Sequence, residues 1–382
     1  MDLSLTDEQE FLRDAARDAL RRTDTVAAAR EALEDVAVGK VPTLTDLWPT
    51  AVEAGWPGLL TSEEHGGAGL GLYDALLVAQ EAAAVLAPVP LVSVLPAASI
   101  LDAAGDEASA AVAGGELRAA WLPVAPPSDR EARWTVDPRG GLLRGDAPTA
   151  TVSGDDVTLD GEVPWAPDAP GADRLVVVGV DADGAPVAAL VDAADAGVTV
   201  EAVTRYDATR PLGHVRLQGA KGRRIAADAD ALARAWFVAQ AILAAEATGV
   251  AGHLLPIAVE YAKERHTFGR AIGSYQAVKH HLVEVLRLTE NARALLIYVA
   301  WASEHAPDQL PLAAAAARSG AGQALDVATR EHISVHGGIG ATWEHDAPLY
   351  FRRAQLSRRL VGGDADATDR VAGQLLGGVV PA

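Results

Sequence analysis

The feature that most constrains this chain is a change of hydrophobic period, made twice. Between residue 117 and about residue 225 the apolar residues fall in short β-type runs, at 119–124, 157–163, 174–180, 187–191, 198–203 and 214–217. Turn signals such as Asp160-Gly161 and Asp183-Gly184 separate them, and no helical stretch intervenes. Such strands without crossover helices predict an antiparallel sheet or barrel, not a parallel βαβ fold.

On either side the period is helical. Thr6 followed by Gln9 makes a capping box, and Phe11, Leu12, Ala15, Ala19 and Leu20 then recur at helical spacing. A helix is predicted over 44–54, stopped by Gly55, and two nearly apolar, hence buried, helices over 73–86 and 91–104. After Asp228, helices are expected over 231–263, 274–304, 312–336 and 347–360, with a last amphipathic stretch at 366–376. Long helices joined by short loops predict a bundle. The expected class is therefore α+β: an N-terminal helical domain (1–118), a β domain (119–225) and a C-terminal four-helix bundle (226–382).

Composition excludes several functions. The formal charge is −20, the wrong sign for a general nucleic-acid binder. There is no cysteine, so disulfides, thiolate metal sites and Cys nucleophiles are out. The longest uncharged stretch, 82–101, is interrupted by Pro88, Pro90 and Pro96 and makes a poor membrane span, and residues 1–20 lack a secretory pattern. The cytoplasm is the expected location. No metal set is expected: His280 and His281 with Glu284 have helical spacing but no evident third ligand.

Two segments suggest dinucleotide chemistry. One runs from Tyr261 through Arg265, Phe268, Gly269, Ile272 and Tyr275 to Gln276; the other is His336-Gly337-Gly338-Ile339-Gly340-Ala341-Thr342-Trp343-Glu344. An Arg at a helix–loop junction can fork onto a pyrophosphate. Glycines admit backbone amides to a phosphate, Phe268 offers a flat apolar face and Gln276 a two-ended amide. Together the segments resemble the Arg-x-x-Phe-Gly-x-x-Ile-x-x-(Phe/Tyr)-Gln and Gly-Gly-x-Gly-x-Thr-x-Glu signatures of the acyl-CoA dehydrogenases, in the same order along a similar helix–β–helix chain.

That resemblance implies an oligomeric FAD enzyme that desaturates an acyl-CoA thioester and passes electrons to an electron-transferring flavoprotein. It implies that Arg265, Phe268, Gln276, Gly337, Gly338 and Gly340 hold the adenine–pyrophosphate half of an FAD bound mainly by a neighbouring subunit. Trp165, in Asp160-Gly161-Glu162-Val163-Pro164-Trp165, is similar to the family's flavin-stacking tryptophan.

The chain also departs from the family. The flavin loop Thr-Glu-Pro-x-Ala-Gly-Ser-Asp is replaced by the sequence from Trp121 to Asp129; Pro167 stands at a hydroxyl position and Ser334 at a glutamine position. The two places where members carry the catalytic carboxylate fall on Val361 and Ala239. Glu246, the sole acid of its helix between Trp236 and Glu260, and Asp364 are the remaining candidate bases. The pattern resembles the base-deficient partner subunit of actinobacterial heterotetrameric acyl-CoA dehydrogenases, several of which act on steroid side-chain thioesters. A self-sufficient homotetramer with a relocated base and a flavin-free scaffold are the alternatives.

Overall fold

The structure, a computed structural model, describes residues 4–40, 42, 44–122, 147–203 and 207–376. The chain opens with α1 (Asp7–Leu20), whose Thr6/Gln9 capping box forms in both directions, and α2 (Thr25–Ala37), capped by Asp24. A short α3 (Trp48–Glu53), followed by Gly55 at φ +70°, begins later and is shorter than its pattern suggested. The apolar pair α4 (Leu72–Ala84) and α5 (Leu91–Ala103) is buried almost all round, as its lack of a polar face requires. A single turn, α6 (Ser109–Ala113), leads into the sheet.

The β layer comprises β1 (Ala119–Trp121), β2 (Thr149–Ser153), β3 (Asp156–Pro167), β4 (Arg174–Val180), β5 (Pro186–Asp192), β6 (Val198–Val203) and β7 (Leu212–Ile225). It is mainly antiparallel, with the long strand β7 pairing β3, β5 and β6. The first strand is the exception: β1 lies parallel to β4, and β2 touches β4 in parallel at Thr149 and Val180. Strand β2 escaped the sequence pattern because Thr149, Thr151, Val152 and Ser153 are all exposed, leaving only Ala150 buried.

The C-terminal half is built on α7 (Ala229–Glu264), α8 (Gln276–His305) and α9 (Leu310–His336), joined by the two-stranded hairpin β8 (His266–Thr267) and β9 (Arg270–Ala271) and by short turns. At 1.5 Å per residue, α7 is about 54 Å long. It is long and apolar enough to cross a membrane by length and composition, yet 61% of its most apolar window is buried in the fold. Where α7 crosses α4, a Cβ on Gly249 would lie 2.3 Å from the Gln80 carbonyl oxygen, so only glycine allows that approach. The fourth place of the bundle is shared by α10 (Ala347–Ser357) and α11 (Gly363–Leu375), which are separated by a turn with Val361, Gly362 and Gly363 at positive φ.

One apolar core runs through α4, α5, α7 and α9 and reaches the sheet at Trp121, Trp165 and Val176; a second lies within the β layer.

Candidate functional site

The C-terminal end of α7 carries the first group of predicted residues. Arg265 ends the helix with extended dihedrals and is exposed, and it makes no ion pair among the described residues. The β8–β9 hairpin then turns at Phe268 and Gly269, whose φ angles are +51° and +80°. A two-residue turn with both φ positive suits a hairpin's twist, but a bulky residue there is strained. At this turn the Phe268 ring faces outward, 92% exposed. The Arg265 carbonyl accepts from Ile272 N at 2.8 Å, and the Arg270 guanidinium sits 4.0 Å over Tyr275. Gln276, exposed, begins α8.

The second group follows α9. Gly337 caps the helix at φ +67°, and Gly340 packs so closely on His336 and Ile333 that a Cβ would meet atoms at 2.8 Å. At Gly337 and Gly338 an added Cβ would meet nothing within 4 Å, so their backbone faces open space. The ends of the helices are tied together: Tyr261, one turn before Arg265, lies 4.2 Å from the His336 ring, and Val335 packs with Ala258, Ala262 and Leu282. Fold and packing thus put Arg265, Phe268, Gln276 and the Gly337–Gly340 loop at one end of the bundle, with their polar and aromatic groups outward. Groups of this kind can contact an anionic, partly aromatic ligand such as a dinucleotide.

The positions where the family carries its base lie elsewhere, and they are closed. Val361 and Ala239 are both 0% exposed, within the same core as Trp121 and Trp236, whose rings meet edge to face at 6.0 Å. Gln240 Nε2 donates to the Val361 carbonyl at 3.2 Å. Trp121 Nε1, Trp236 Nε1 and Gln240 Oε1 have no further partner among the described residues. Ala239 and Arg265 are 26 residues apart on α7, about 39 Å along its axis. Of the segment that replaces the flavin loop, only Trp121 and Leu122 fall within the described residues.

The candidate bases are both engaged by arginines. Glu246 is buried and paired with Arg210, itself buried, on the segment before β7. Beside them Arg353 Nε donates to Asp207 Oδ2 at 2.9 Å and to Thr209 Oγ1 at 3.1 Å. Arg353 is buried, because residues 207–210 return from the β layer to meet α10. Asp168, at φ +56°, completes this network; burial pushes its carboxyl up to about 6 against the pull of Arg210 and Arg118. Asp364 lies 2.7 Å from Arg318 and 3.8 Å from Arg358, lining a cleft of about 590 Å³ with Arg358 and Arg359. Burial raises the Asp364 carboxyl above its ordinary value despite both arginines.

Trp165 sits in a β-bulge of β3 at φ +57°, buried, with its ring edge-on to His214 at 4.5 Å and its backbone N–H donating to His214 Nδ1 at 3.3 Å. His281 pairs with Glu331 of α9 at 2.9 Å, and Glu284 with Arg287, so the His/Glu spacing on α8 does not converge on one point. A different histidine group, unassembled from the sequence, lies under the glycine loop: His332, His336 and His345. Burial first, then the neighbouring His336 and His345, hold the His332 imidazole down at about 3. Its sequence signal is an i, i+4 pair on α9 followed by a third histidine in the next turn.

Comparison with known proteins identifies the family. The family models described as acyl-CoA dehydrogenase, N-terminal domain, and acyl-CoA dehydrogenase, C-terminal domain, match residues 6–123 and 237–376. The chain is 34% identical to acyl-CoA dehydrogenase FadE34 of Mycobacterium tuberculosis over 98% of its own length, and spans about half (49%) of that relative. It is 30% identical to acyl-CoA dehydrogenase IpdE2 of the same organism, covering 97% of this chain and 98% of IpdE2. A solved variant of the Tcur3481-Tcur3483 steroid ACAD superposes with a TM-score of 0.82 at 28% identity, covering 97% of this chain and 98% of that one. With both terminal domains matched and a full-length relative at this identity, the chain belongs to the acyl-CoA dehydrogenase family of oxidoreductases.

Proposed function

We propose that this chain is the partner half of a heteromeric acyl-CoA dehydrogenase. It presents Arg265, Phe268, Gln276 and the Gly337–Gly340 loop to an FAD held chiefly by a paralogous, base-bearing chain. The observation that carries this reading is the contrast between its two sites. The surface that would serve a neighbour's cofactor is open and armed with an unpaired arginine. The centre that would do chemistry within the chain has Val361 and Ala239 in a filled core. The alternative bases are both held in ion pairs: Glu246 with the buried Arg210, and Asp364 with Arg318 and Arg358, so each carboxylate already has a structural partner whose loss would leave a buried charge uncompensated. That disfavours the self-sufficient homotetramer. The exposed Phe268 and free Arg265 disfavour a scaffold without flavin, which has no use for strained or uncompensated groups there.

FAD is the family's cofactor and, when bound, accepts the hydride leaving Cβ of the thioester. The residues present fit it. Arg265 offers a forked positive charge to the pyrophosphate, and the Gly337 and Gly338 backbone leaves room for phosphate oxygens. Phe268 supplies a stacking surface and Gln276 a hydrogen-bonding amide. Their task is to bind and orient the dinucleotide; the α-proton is removed by the partner's carboxylate. Since the similar solved assembly is a steroid ACAD, a steroid-derived acyl-CoA is the proposed substrate class, and an electron-transferring flavoprotein the proposed acceptor.

The test is to purify the chain alone and co-expressed with a base-bearing paralogue, comparing visible spectra and stoichiometry. We expect a flavin-poor lone chain and a yellow mixed assembly, in which Arg265→Ala weakens FAD binding by on the order of 10-fold or more, the worth of one charge-assisted pair. A lone chain with stoichiometric FAD and turnover would refute the reading.

A further inference from the structure

Helix α9 presents His332 and His336 one turn apart, and the turn after the glycine loop brings His345 back against them. The rings stand 4.4 Å apart between His332 and His336, 4.4 Å between His336 and His345, and 5.8 Å between His332 and His345. One ring nitrogen from each lies within 4.8 Å of the other two.

The hydrogen bonds show which lone pairs are free. His336 Nδ1 lies 2.7 Å from the His332 carbonyl oxygen, which can only accept, so Nδ1 carries the proton and Nε2 the lone pair. Such a bond to a main-chain carbonyl is how ligating histidines are commonly oriented. His332 is buried, and its Nδ1 has no partner among the described residues, although buried polar atoms are nearly always satisfied. His345 is less buried; its Nδ1 accepts from Ala347 N at 3.1 Å, and turning the ring over gives up only that bond. The backbone carrying it is anchored, because Arg30 of α2 bonds to both the Trp343 carbonyl and the Asp346 carboxylate.

We propose that His332, His336 and His345 form a binding site for a divalent transition cation of the zinc class. Three neutral imidazoles, with no thiolate in the chain, select borderline metals over calcium or magnesium. At zinc–nitrogen distances of about 2.0–2.1 Å, tetrahedral ligands lie about 3.3 Å apart, so the rings close by no more than about 1.5 Å, and water fills the fourth position. The ion would fasten the Gly337–Thr342 loop at both ends, since His336 precedes it and His345 follows it. The assignment stands whether or not that loop holds FAD.

The test uses the full chain without a histidine tag, stripped with chelator and titrated with Co²⁺. One ion per chain is expected, with the intense visible bands of four-coordinate cobalt, displaced by Zn²⁺. His345→Ala should weaken binding by at least the 10–100-fold that loss of even an outer partner of a ligand causes. A wild-type titration giving only the faint spectrum of six-coordinate Co²⁺, or bands retained in a folded His345→Ala, would overturn the proposal. A second readout needs no variant: Cu²⁺ bound to the wild type should show hyperfine coupling to three nitrogen nuclei, and fewer would overturn it.

Discussion

Glu246 offers the sharpest test of structural against catalytic use of a carboxylate. In Glu246→Gln the amide still fills the space, but Arg210 loses the charge bonded to it while remaining 6% exposed. Removing one partner of a buried pair costs about 3–5 kcal/mol, because the other charge stays desolvated. With about 2.1 cal/mol/K of unfolding entropy per residue, 382 residues give about 0.8 kcal/mol/K, so the melting temperature should fall by about 4–6 °C. The loss should depend on pH through Asp168, whose proton is held partly by repulsion from Glu246. With Glu246 neutralised that repulsion is gone, so Asp168 ionises more readily than in the wild type, and once ionised it compensates Arg210, whereas a protonated Asp168 cannot. The destabilisation should therefore be larger at pH 5 than at pH 8. Replacing both partners, Arg210→Met with Glu246→Leu, should recover most of the stability, since apolar groups of similar volume often replace a buried pair without loss. Melting followed by circular dichroism measures all of this, with flavin content and turnover of the mixed assembly recorded beside it. If Glu246→Gln melts within 1 °C of wild type yet abolishes turnover with FAD retained, the structural reading fails and Glu246 is the base.

Two further variants probe the same region. The folded Asp168 carboxyl keeps its proton up to about pH 6, whereas an unfolded one releases it near 3.8, so stability falls as pH rises across that window, by about 3 kcal/mol for this group. Asp168→Asn should flatten that part of the profile and raise stability at pH 7.5; an unchanged slope in chemical-denaturation curves would show that the group is not perturbed. Val361→Glu restores a carboxylate to the position where family members carry one, but here it would enter a filled core at a residue with φ +48°. It should lower stability by several kcal/mol and yield no dehydrogenase activity from the lone chain. A stable, active Val361→Glu protein would show that the centre is open after all.

Much of the fold was legible because periodicity is a local property. The Thr6/Gln9 cap, the apolar pair α4 and α5, and the long α7 follow from spacing and from helix-stopping residues. Strands β4 and β6 were bounded correctly for the same reason. Strand β2 was not, having one buried side chain, and the parallel entry of β1 depends on a neighbour more than fifty residues away.

For the site the division is similar. Residue identities establish which chemistry-bearing groups exist: an arginine and glycines in a dinucleotide-type pattern, and no carboxylate at Val361 or Ala239. The surroundings of those groups come from packing between distant elements. It left Arg265 and Phe268 facing outward, packed Val361 and Ala239 into the core, and joined Glu246 to Arg210 and Arg353 to Asp207 across three elements. It also drew three histidines into one cluster. The reason is that charge and periodicity are written residue by residue, whereas burial and pairing depend on segments distant in sequence that meet only when the β layer closes on the bundle.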